Sequence, residues 1–108
     1  MSRCEKTVYD VVVATVSDRV RMRRLLDKGQ LSKDQATAFA RKLAAIDNAM
    51  IAVCDGEPYE AREALLCDIA QRRGYEKAEA KRFYTARTTF ERRKTEAVTM
   101  IARMLGLI

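Results

Sequence analysis

Apolar residues recur every three or four positions along most of this chain, and the pattern is interrupted at Gly29, at Gly56 with Pro58, and at Gly74. That spacing is the period of one buried helix face, because 3.6 residues complete a turn. It predicts an all-α chain forming one domain, a compact four-helix bundle or orthogonal helical array, with helices over about residues 7–28, 33–54, 58–73 and 76–105.

Each segment has its own start and stop signals. Val8, Val12, Val13, Val16, Val20, Leu25 and Leu26 line one face of the first. A strand competes for its valine-rich start, but the pattern runs on without a turn signal until Gly29, where a C-terminal cap belongs. Ser32 precedes Gln35 by three residues, the capping-box spacing that opens the second helix, whose apolar face carries Phe39, Leu43, Ile46, Met50 and Val53. Pro58 suits the first turn of the third helix, with Glu57 and Glu60 near its positive end and Gly74 closing it. Phe83, Ala86, Phe90, Ala97, Ile101 and Met104 define the stripe of the last helix, in which Thr88 and Thr89 mark the place for a bend.

The same inventory excludes several chemistries. The chain has no histidine, and Cys4, Cys54 and Cys67 form no CxxC pair. A structural zinc site needs four nitrogen or sulfur ligands, so neither zinc nor a disulfide framework is expected, and no cofactor is implied. Reduced thiols suit a cytoplasmic setting. No Ser or Cys has an evident activating partner, no phosphate-binding glycine loop is present, and the reading is non-enzymatic. No apolar run, the valine-rich residues 11–16 included, approaches the ~20 residues of a spanning helix, and the N-terminal residues lack a signal-peptide layout, so no membrane role is expected.

Charge is more informative than its total of +6. Residues 55–68 carry five acids against Arg62, whereas residues 69–108 carry ten bases against four acids. The rest comes mainly from Arg19, Arg21, Arg23, Arg24 and Lys28. On a helical projection of the last segment, Lys77, Lys81, Arg92 and Arg103 oppose the apolar stripe, among Thr85, Thr88, Thr95 and Thr99. Tyr84 lies beside them, and Arg82 and Arg93 flank the stripe. Bases and hydroxyls on one face suit a phosphate backbone, since Lys and Arg displace counterions and hydroxyls position oxygens.

The expected nucleic-acid contacts are therefore Lys77, Lys81, Arg82, Tyr84, Thr88, Arg92, Arg93 and Arg103, helped by Arg21, Arg23 and Arg24. Tyr84 is the expected base-stacking residue, which favours a single-stranded ligand. A plain solvated helix face is the alternative, with Glu79, Glu91 and Glu96 tempering the charge.

Residues 66–86 also resemble a helix-turn-helix DNA-binding segment. Ile69 and Ala70 match buried positions of its first helix, Gly74 the turn, and Ala80 and Phe83 core positions of the second. The resemblance implies a dimeric regulator reading DNA through Lys77, Lys81 and Arg82. Arg73 stands where that motif usually has an apolar residue. In overall type, a small basic helical chain resembles accessory proteins of phages and plasmids such as anti-CRISPR proteins, which implies inhibition of a host nucleoprotein complex. A third reading is a protein-only module capping an acidic partner, which could be the acidic segment of a second copy. Both a monomer and a dimer fit.

Overall fold

A computed structural model describes residues 5–108; Cys4 lies outside the described residues. The all-α expectation holds. The elements are α1 (Lys6–Ser17), α2 (Arg19–Lys28), α3 (Lys33–Val53), α4 (Tyr59–Ala70) and α5 (Arg87–Met104), with two short 3-10 turns, Tyr75–Lys77 and Glu79–Arg82, between α4 and α5. Among the described residues no helix is long and apolar enough to cross a membrane.

The first expected helix is two. It breaks at Asp18, whose amide donates to the carbonyls of Ala14 and Thr15 and whose carboxylate is taken by Arg21. The break lets α1 bury Val12, Val13 and Val16 while α2 turns onto α3 and buries Met22. Gly29, left-handed at φ 67°, then caps α2. The capping box is present as read: the Gln35 amide donates to Ser32 Oγ and the Ser32 amide to Gln35 Oε1, both at 3.2 Å.

Pro58 stands just before α4 as its N-cap. The helix stops earlier than expected, and Arg72 rather than Gly74 takes the left-handed position, at φ 54°. Its amide donates to Ile69 O and that of Arg73 to Asp68 O, the paired bonds of a Schellman close. A non-glycine residue in this conformation costs about 1 kcal/mol or more. The Arg72 side chain offsets it by reaching Asp10 at 2.8 Å and lying over the Tyr9 ring.

The largest departure from expectation lies in residues 75–86, which are not the start of the last helix. Asp68 is completely buried, and its carboxylate accepts the amides of Glu79 at 2.8 Å and Ala80 at 2.9 Å and a 3.3 Å bond from Arg73. A buried carboxylate must be satisfied in this way, and doing so ties the segment down as 3-10 turns against α4. Ala78 and Ala86 are extended, and α5 begins at Arg87, one residue before Thr88.

The core is one cluster in which Val12, Ile46, Met50, Leu65, Ile69, Phe90 and Ile101 are fully or nearly fully buried. Helix α5 packs mainly on α3 and also on α1 and α4, so it is a central element of the array. No buried residue comes from positions 23–42, the outer ends of α2 and α3. Those ends form a hairpin arm beyond the core, consistent with a molecule measuring 44 × 27 × 23 Å.

Candidate nucleic-acid interface

The central position of α5 takes apart the face expected on it. Thr99 is buried, and Thr95 is half-buried beside a cleft of about 450 Å³ between α1 and α5. Thr88 and Arg92 are exposed, but Arg92 stands 3.8 Å from Glu96. Arg93 is shared by Glu96 at 3.1 Å and Glu57 at 3.6 Å, and the neighbouring Arg87 pairs with Glu76 at 2.6 Å. Helical i, i+3 and i, i+4 spacing supplies two of these partners, an effect the projection read only as tempering. Arg103 is exposed without an ion pair among the described residues.

Tyr84 is not available for stacking. Only 3% of it is exposed, and its hydroxyl donates to Glu57 at 2.8 Å and lies 3.8 Å from Cys54 Sγ. Burial, then the bond to Glu57, raises its pKa, and burial pushes the Cys54 thiol up to about 11. The cluster joins the end of α3 to the start of α5, which accounts for a buried tyrosine with a satisfied hydroxyl. With Tyr75–Lys77 and Glu79–Arg82 in 3-10 turns and residues 83–86 outside any helix, the helix-turn-helix assignment loses its reading helix. Lys77, Lys81 and Arg82 are exposed on that segment instead, with Lys81 over the Tyr75 ring and Arg82 over Phe83.

The arm is where positive charge collects. Residues 19–42 hold eight bases and two acids, a net +6, which equals the charge of the whole chain. Three of the eight are engaged: Arg19 with Glu63 at 2.8 Å, Arg21 with Asp18, and Arg23 with Asp47 at 3.5 Å. Arg21 also lies over the Phe39 ring, and its bond holds the Asp18 carboxyl below its ordinary pKa. Arg24, Lys28, Lys33, Arg41 and Lys42 are exposed and have no ion pair among the described residues.

Two of these five follow each other by one turn on α2, Arg24 and Lys28. On α3, Lys33 and Arg41 fall within about 80° of each other with Thr37 between them, at 100° per residue. Lys42 lies around α3 toward Asp18.

Of the expected contacts, Arg21, Arg23 and Arg24 thus share the arm, while Lys77, Lys81, Arg82, Arg92, Arg93 and Arg103 are spread over the 3-10 segment and α5. Lys28, Lys33, Arg41 and Lys42 share the arm but were not among the expected contacts. The signal for them was the short connection between Gly29 and Ser32, which makes α2 and α3 antiparallel neighbours and adds their charges. Comparison with protein-family models, curated protein sequences and solved structures finds no match to this chain.

Proposed function

We propose that this protein binds the phosphate backbone of nucleic acid through the arm formed by α2 and the first half of α3. The observation that carries this reading is the group of five exposed bases on the arm without acid partners among the described residues, on a segment whose net charge is that of the whole chain. Lys and Arg without acid partners are free to neutralise phosphates and so release the counterions condensed on the nucleic acid, which drives such binding. The arm has no fully exposed aromatic, since Phe39 is half-buried under Arg21, so backbone contact without base stacking is proposed, and the earlier preference for single strands falls away.

The role we propose is one of binding; the Cys54 thiol, pushed up to about 11 by burial, is not an activated nucleophile. Competition for the nucleic-acid track of a host nucleoprotein complex is the biological use we propose for such an arm.

Each base that meets a phosphate contributes about 0.9 to the slope of log K against log salt on duplex DNA. Reversing Arg24, Lys28, Lys33 and Arg41 to Glu should flatten that slope by about 3.6 and lower affinity at least about tenfold in a fluorescence anisotropy titration. Reversing Lys81, Arg92 and Arg103 should change it far less. The opposite ranking, or tight binding by the arm variant, would refute the reading.

A further inference from the structure

Three of the most exposed large apolar side chains converge on one place, the groove between α2, α3 and α4. Val20 is 70% exposed, Ile51 54% and Tyr59 61%. They border a groove of about 590 Å³ whose floor includes Met50 and Leu66. Apolar side chains scattered singly over a surface need no explanation, but a cluster framed by charge marks an interaction site.

Tyr59 is held ready for contact. Its hydroxyl donates to Glu63 at 3.0 Å, and the Arg62 guanidinium lies 5.4 Å from its ring centroid. The ring is thus fixed at low entropic cost, in the manner of an interface anchor. Arg62 itself is incomplete: its Nε is buried without a hydrogen-bond partner, and no carboxylate lies within ion-pair distance of it among the described residues. Arg19 and Arg23 at the same groove already have Glu63 and Asp47. The groove therefore offers an apolar seat and one arginine that lacks an acid.

The complement lies at the start of α4: Glu60, next to Tyr59 in its first turn, and Asp55, four residues before Tyr59, are exposed and have no base within ion-pair distance among the described residues. A two-fold axis brings each patch onto its own copy, so a surface that carries apolar side chains, an unmatched arginine and unmatched acids is self-complementary.

We infer that the groove between α2, α3 and α4 is a homodimer interface. Tyr59 of each protomer seats between Val20 and Ile51 of its partner, and Arg62 of each meets the partner's acidic first turn of α4. This does not depend on the arm's reading, since Val20, Ile51, Tyr59 and Arg62 are not among the proposed phosphate contacts.

Sedimentation velocity on the full chain, from micromolar to near-millimolar concentration, tests it. A reversible monomer–dimer equilibrium is expected. Ile51→Glu should weaken it about tenfold or more while leaving the helical circular dichroism unchanged, because Ile51 is exposed in the monomer. Arg62→Glu should weaken it as well, and adding Glu60→Arg should restore association, since the exchanged charges meet again across the axis. A monomer at every concentration, or a dimer indifferent to both Ile51→Glu and Arg62→Glu, would overturn the inference.

Discussion

Asp68 decides the path of the chain between α4 and α5. Its carboxylate is the acceptor for two backbone amides and for Arg73, all away from water. Asp68→Ala would leave those donors unsatisfied and should cost about 3 kcal/mol or more in urea unfolding, with Asp68→Asn losing less because one oxygen remains. A loss under about 1 kcal/mol would mean that the 3-10 turns hold themselves.

The Tyr84–Glu57–Cys54 cluster makes a second prediction, from groups whose folded pKa values are raised. Both are protonated in the folded chain above their ordinary values of 10.0 and 9.0, whereas the unfolded chain ionises at those values. Their contribution is complete below about pH 9 and is lost as pH rises beyond it. Stability should therefore fall as pH rises from about 9 through about 11, and Tyr84→Phe should flatten the part of the fall above about pH 10. In native protein near pH 8, iodoacetamide should modify half-buried Cys67 well before Cys54, as read by peptide mass mapping.

None of this was legible at the residue scale. Asp68 reads as one acid among five on a helix, and Tyr84 as an aromatic beside a basic face. Only the fold reveals that each has a long-range partner.

At the scale of elements, the signals with a local mechanism were the ones that read correctly. The Ser32–Gln35 box and the left-handed Gly29 need only their neighbours in sequence, and both appear as expected. Ser32→Ala should cost about 1 kcal/mol. Gly29→Ala meets no steric obstacle but must place a side chain at positive φ, and should cost about as much. Because both residues lie at the tip of the arm, amide hydrogen exchange should quicken first in residues 26–38. Protection unchanged there would contradict the capping account.

Elements set by tertiary contact were misread. The break at Asp18 has no glycine or proline to announce it, and residues 75–86 combine helix-forming residues with a helical apolar spacing. Their 3-10 form is imposed by Asp68, by Tyr75, whose hydroxyl reaches Thr85 O, and by the burial of Tyr84. Gly74, read as a helix end, is extended, and the left-handed position fell to Arg72.

For the whole molecule, the fold class followed from period alone, but the placement of charge did not. A helical projection assumes that the face opposite an apolar stripe meets solvent. For α5 that assumption fails, because α3, α1 and α4 pack around it, and of its exposed arginines Arg87 and Arg92 are tied to glutamates while Arg103 has no ion pair among the described residues. Surface ion pairs of this kind are worth little to stability, yet they remove the charge a polyanion would need. What remains is an arm carrying five exposed bases without ion pairs among the described residues, whereas other such bases, Lys77, Lys81, Arg82 and Arg103, are divided between the 3-10 segment and the end of α5.

The most direct test of that picture is a 1H–15N correlation spectrum of the labelled protein, titrated with a random-sequence duplex oligonucleotide at low salt. The account predicts shifts concentrated in residues 24–42, led by the amides around Arg24, Lys28, Lys33 and Arg41 and reversed by added salt. Shifts centred on residues 77–82 and the exposed side of α5, or none at all, would contradict it.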